Sequence, residues 1–86
     1  MTLSIKVLGP GCSSCDKLHQ RVREAVVQLG ADATIQKLRD FSEYSRYGLL
    51  MTPGLVINEK LVSAGRVPSV AEIVSMLATA LEQAGE

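Results

Sequence analysis

Between residues 8 and 13 the spacing of apolar residues changes, and that change limits the folds open to this chain. Residues 3–8, LSIKVL, alternate, with Leu3, Ile5 and Val7 on one side and Ser4 and Lys6 on the other. This is the period of a strand with two unlike faces. Gly9, Pro10 and Gly11 end it. From residue 13 onward Leu18, Val22, Ala25, Val26 and Leu29 fall on one helical face, while Lys17, Arg21, Arg23, Glu24 and Gln28 fall elsewhere. That is an amphipathic helix, and Gly30 supplies its stop. A strand passing straight into a helix through a short glycine-rich joint is the opening of a β-α-β unit.

The remaining segments extend the pattern. Residues 33–38, ATIQKL, read as a second strand with Ala33 and Ile35 inward. Asp40, Phe41, Ser42 and Glu43 fit a capping box that opens a short helix, closed by Gly48. After Met51-Thr52-Pro53-Gly54, two apolar runs, Leu55-Val56-Ile57 and Leu61-Val62, flank the polar link Asn58-Glu59-Lys60 and form a hairpin. Ser69, Val70, Ala71 and Glu72 make another capping box. It launches a helix whose apolar face carries Val70, Ile73, Val74, Leu77, Ala78 and Leu81. The order is β-α-β-α-β-β-α, which predicts an α/β fold with a four-stranded mixed sheet flanked by helices.

Composition narrows the function. Eighty-six residues provide for one domain, residues 1–86. Nine basic and nine acidic residues cancel, so nothing marks an electrostatic surface for nucleic acid or anionic membrane. No apolar run approaches the ~20 residues that span a bilayer, and the start MTLSIKVLGPG lacks the signature of a signal peptide. A cytoplasmic monomer is expected. The three aromatics, Phe41, Tyr44 and Tyr47, cluster at helical spacing. They form either a cover for the sheet or a partner patch, and the cover is the expected use.

Both cysteines lie in GPGCSSC, residues 9–15. In a reducing compartment a close pair is redox-active or metal-binding more often than structural. Cys12 falls at the start of the predicted helix, where unpaired N–H groups and the helix dipole favour a thiolate. Cys15 follows nearly one turn later, within reach of a disulfide. Cys12 could then attack a partner disulfide and Cys15 resolve the mixed disulfide. Gly9 and Gly11 leave the Cys12 sulfur open to approach. Ser13 and Asp16 fit a capping box, which would put Cys12 just outside the helix.

With Thr52-Pro53 before the third strand and Ala64-Gly65-Arg66 further on, the chain resembles the thioredoxin-like superfamily. It looks most like the small glutaredoxin-like redox-active disulfide proteins of bacteria and archaea. The resemblance spans essentially the whole chain and implies a minimal thioredoxin-like fold. It implies a thiol–disulfide oxidoreductase with Cys12 and Cys15 catalytic, and with Gly11, Met51, Thr52, Pro53 and Gly65 forming the substrate site. The family also implies a cis peptide between Thr52 and Pro53, beside which an extended substrate segment pairs. No cofactor is required; the partners would be a disulfide-bearing protein and a separate reductase. Departures are visible. Gly11 stands where ordinary thioredoxins carry Trp, Ser13-Ser14 replaces their Gly-Pro, and Met51-Thr52-Pro53 replaces the Thr-Val-Pro of glutaredoxins. No acidic pair follows Gly65, so the glutathione-binding pattern is incomplete.

The rival reading is a soft-metal site. Cu(I) needs only two or three thiolates, which Cys12 and Cys15 could supply for metal transfer. Zinc is less well served, because His19 is the only histidine and four ligands are usual. Arg66 could attract a partner carboxylate beside the site, although a solvated surface arginine is the plainer expectation.

Overall fold

A computed structural model of the chain describes residues 2–11 and 13–84; Cys12 lies outside them. The elements are β1 (Leu3–Leu8), α1 (Ser13–Leu29), β2 (Ala33–Leu38), α2 (Phe41–Arg46), β3 (Gly54–Ile57), β4 (Lys60–Ala64) and α3 (Val70–Ala84). The sheet order is β2-β1-β3-β4. β1 pairs in parallel with β2, and β3 is antiparallel to both β1 and β4. The fold is α/β with a mixed four-stranded sheet, as the element order predicts.

Alternation along β1 divides the interior in two. Leu3, Ile5 and Val7 join Leu55 and Ile57 under α1 and α3, packed with Leu18, Val22, Ala25, Ile73, Leu77 and Ala80. On the opposite face Leu8 and Val56 meet Tyr44 and Leu49, with Leu38, Tyr47 and Leu61 at the margin. Fully buried leucines and isoleucines such as Leu18, Leu55, Ile73 and Leu77 each contribute about 1.5–3 kcal/mol of apolar transfer. Of the predicted α3 face, Val70, Ile73, Val74, Leu77 and Leu81 pack in this core; Ala80 stands in it where Ala78 was expected.

Local signals explain the boundaries. In α3 the capping box is complete: Glu72 N–H donates to Ser69 Oγ (3.1 Å) and Ser69 N–H to Glu72 Oε1 (3.3 Å). The cap of α2 is only half as expected. Asp40 accepts from Ser42 N–H (3.3 Å), but Glu43 turns to Arg46 (3.8 Å) instead of returning to Asp40. Its far end is a Schellman turn, with Gly48 N–H bonded to Ser45 O, Leu49 N–H to Tyr44 O, and Gly48 at φ +73. Ser13 is the first residue of α1 and not its cap. In the hairpin the link is Asn58-Glu59 alone, at φ 50 and 69, a left-handed pair that Lys60 does not join.

That turn is tied down by charge. Lys6 Nζ in β1 donates to Glu59 Oε1 (2.8 Å) and to Tyr47 Oη (2.6 Å), and Tyr47 Oη donates to Glu59 Oε2 (2.6 Å). The cluster joins the central strand, the end of α2 and the hairpin. The Lys6 hydrogen bond holds Glu59 below the ordinary carboxylate range, and the same bond raises Lys6. A carboxylate held low stabilises the fold above its unfolded pKa, and that contribution disappears as pH falls through the folded value. The lysine works in the opposite direction and loses its contribution only as strongly alkaline pH passes its raised value. Glu59→Gln should therefore lower the urea midpoint at pH 7 and converge with the parent protein in the acid range below the usual glutamate pKa. A constant gap between the two curves from pH 7 to pH 2.5 would contradict this role.

Candidate active site

The N-terminal turn of α1 sits against the end of β1, and one glycine makes that possible. A Cβ placed on Gly9 would overlap Cys15 Sγ, and would lie 3.2 Å from Cys15 Cβ and 4.0 Å from Pro53 Cα. The sulfur of Cys15 therefore lies over bare backbone, with Pro53 on the far side. Only 5% of Cys15 is exposed. Sequence reasoning assigns the room at Gly9 to the approach toward Cys12. In the structure Cys15 takes that space, because it lies on the inward face of α1 with Leu18 and Val22.

The proline loop forms the next wall. The Thr52–Pro53 peptide is cis. Gly65 N–H donates to Pro53 O (2.9 Å), which ties the end of β4 to the loop. Gly65 is at φ +74, and a Cβ there would lie 3.2 Å from Met51 Cβ. Met51 and Leu50, just before the cis bond, stand 67% and 95% exposed. Thus Cys15, Met51, Thr52, Pro53 and Gly65, distant in sequence, occupy one end of the sheet.

Gly11 closes the other side. With φ +93 it adopts a conformation that suits glycine, and the Arg39 guanidinium lies across it. Val7, Gly9, Gly11, Cys15, Asp16, Lys37 and Arg39 line a crevice of about 10 Å³ beside the sulfur, on the scale of a single water molecule. Asp16 and Lys37 make an exposed ion pair across it, 3.6 Å apart. Sequence reasoning passes over Lys37 and Arg39. Their signal is weak, since only the parallel register Val7↔Lys37 and Leu8↔Leu38 brings the end of β2 beside the end of β1.

This arrangement agrees with the comparisons. A family model described as a thioredoxin domain matches residues 3–78. A thioredoxin of Methanocaldococcus jannaschii is 37% identical over 78 residues, which cover 91% of this chain and 90% of that protein. A thioredoxin of Methanothermobacter thermautotrophicus is 37% identical over 75 residues, covering 87% of this chain and 97% of that one. The chain belongs to the thioredoxin family. It is a thioredoxin-like redox protein, and the first turn of α1, with Cys15, meets the cis-proline loop at one end of its sheet.

Other candidates fall into place around that site. His19 is half-buried on α1, one turn beyond Cys15; burial, then the charges of Lys37 and Arg23, lower its pKa, with Asp16 opposing them. Among the described residues no three His, Cys, Asp or Glu side chains cluster as metal ligands. Arg66 is not left open to a partner, since it donates to Glu72 Oε2 at 2.6 Å. The aromatic trio divides. Tyr44 is buried, Tyr47 is half-buried in the Lys6 cluster, and Phe41 stands 81% exposed with its ring edge-on to Tyr44 (5.4 Å). A hollow of about 470 Å³ lies between β3, β4 and α3, lined by residues such as Ile57, Val62 and Met76 and by no cysteine.

Gly9→Ala tests the packing of the site. Its methyl would force Cys15 or the start of α1 to shift, at a cost of about 1–3 kcal/mol for overpacking. The expected result is a lower urea midpoint together with faster alkylation of a displaced Cys15. An unchanged midpoint and unchanged Cys15 labelling would show that the helix is not pressed against this glycine.

Proposed function

We propose that the protein exchanges a Cys12–Cys15 dithiol with disulfides of partner proteins. The observation that carries this reading is the burial of Cys15 over Gly9 and beside Pro53. The second cysteine of CSSC is shielded from solvent at the place where an incoming segment would meet the proline loop. Cys12 stands in sequence between the glycine loop and the first residue of α1, so the unpaired N–H groups of that first turn favour its thiolate.

The exchange balances in two steps. The Cys12 thiolate attacks one sulfur of the partner disulfide, forms a Cys12–partner bond, and releases the other partner sulfur as a thiolate that takes up a proton. Cys15 then loses its proton and attacks Cys12 Sγ. This forms the Cys12–Cys15 disulfide and expels the second partner sulfur, which is protonated in turn. The partner gains two electrons and two protons: both electrons come from the cysteine pair, one proton from Cys15 and the other from the solvent that took it up when Cys12 ionised. A separate dithiol, from a reductase, restores the reduced pair. No bound cofactor takes part. Burial suits Cys15 to this order of events, because a shielded thiol is protected from outside disulfides until the mixed disulfide brings Cys12 Sγ to it.

Single-cysteine variants test the assignment. Cys12→Ser should abolish reduction of a protein disulfide such as that of insulin, with dithiothreitol as the electron source. Cys15→Ser should accumulate a mixed disulfide that mass spectrometry locates on Cys12. Full activity in Cys12→Ser would end the reading. Tight, stoichiometric Cu(I) binding by a protein that reduces no disulfide would replace it with the metal-transfer reading.

A further inference from the structure

We infer that Arg39 is a specificity residue that selects partner disulfides whose cysteine is flanked by carboxylates; this rests on the dithiol reading above. From the Cβ position of Gly11, the nearest Arg39 atom is Cζ at 3.4 Å, with Nη2 at 3.6 Å and Nε at 3.7 Å. A central carbon nearer than the nitrogens around it means that the guanidinium approaches face-on. It lies on the glycine like a plate, possible only because residue 11 has no side chain. All five N–H donors of a guanidinium lie in its plane, so stacking the face leaves the edges pointing outward. Among the described residues those edges meet no hydrogen-bonding or ion-pair partner.

The neighbouring charges are already used. Lys37 is paired with Asp16 across the crevice, and Asp40, next in sequence to Arg39, accepts from Ser42 N–H to cap α2. Glu43 and Arg46 pair with each other, and Arg66 pairs with Glu72. Among the described residues Arg39 is thus a cation left uncommitted beside Gly11, and the crevice below it opens on Cys15. A planar donor fork held at a fixed tilt fits a carboxylate better than a single point charge does, and it can bind both oxygens at once. A partner segment laid along Met51–Pro53 with its cysteine over the site would bring the residues flanking that cysteine toward this fork. The partner class is an acidic protein segment.

The test uses two peptide disulfides, identical except that the residues flanking cysteine are Glu in one and Gln in the other. The intact protein should reduce the Glu peptide with kcat/KM about fivefold higher at low salt, the upper range for an exposed pair. That ratio should contract in 0.5 M salt. Arg39→Gln should bring the ratio to about one by slowing only the Glu peptide; Arg39→Glu should invert it, and Arg39→Lys should restore part of it. A ratio near one in the parent protein, or a preference that survives Arg39→Gln, would overturn the inference. So would equal slowing of both peptides by Arg39→Gln, which would place the arginine's effect on the thiol instead of the partner. If neither peptide is reduced, the dithiol reading fails separately. The acid preference is then read from the same peptides with Ser in place of Cys, titrated against the Gly11 amide resonance by NMR. Tighter binding of the Glu peptide supports the inference, and equal binding overturns it.

Discussion

The close approach of α1 to the end of β1 is the contact on which the site depends. Helices packed on a sheet are normally held off by the side chains between them. Here Gly9 removes one of those side chains at the last turn of chain before the cysteine loop, and the Cys15 sulfur occupies the vacated volume. The effect is positional. A helix whose first turn is drawn down onto a strand end keeps its inward cysteine shielded from water, while Pro10 and Gly11 stay at the surface. The proline loop arrives from the other side, held to the end of β4 by the Gly65–Pro53 hydrogen bond. The site is a meeting of strand ends, where backbone and not side-chain bulk determines the spacing.

The two faces of the sheet support that meeting unequally. Beneath α1 and α3 the packing is aliphatic throughout, and Arg21 reinforces it by donating to the carbonyls of Val67 and Pro68 (3.3 and 3.2 Å). These contacts lock the length of α1 against the loop that leads into α3. The α2 face has a smaller core of Leu8, Tyr44, Leu49 and Val56, with the Lys6–Tyr47–Glu59 cluster at its edge. Gly54 has the same part here that Gly9 has opposite, since a Cβ there would lie 2.6 Å from Leu49 Cδ1. The segment between α2 and β3 is therefore pressed onto the sheet at Leu49, while Leu50 and Met51, directly after it, project outward next to the cis-proline.

Much of this was legible in the sequence because it depends on local order. The alternation of Leu3 to Val7, the spacing of Leu18, Val22 and Ala25, and the Ser69–Glu72 box are short-range patterns, and each forms as its period or capping chemistry dictates. The errors share a different cause. Glu43 left its expected capping partner because a basic residue lies three positions along the same helix face, and two donors compete for one carboxylate. Ala80 enters the core in place of Ala78 because both are small and apolar, and periodicity alone does not fix the edge of a helix face until α1 is in place. That the Cys15 sulfur packs over Gly9 was not legible either, since no local pattern tells which sulfur of a CxxC pair faces the preceding strand.

The arginines show the same limit at the level of charge. Arg66 follows a glycine beside the proline loop, which makes it the conspicuous candidate for partner contact; Arg39 ends an undistinguished strand. In three dimensions their situations reverse. Glu72 must return to Ser69 to cap α3, and that duty leaves its second oxygen facing Arg66, so the capping chemistry of a helix consumes the arginine. The acids near Arg39 are consumed in the opposite sense, Asp16 by Lys37 and Asp40 by the first turn of α2. A formal net charge of zero thus conceals an uneven distribution of unpaired charge. What a surface offers to a partner is the charge remaining after the fold has used its share, and beside the cysteine loop that remainder is positive.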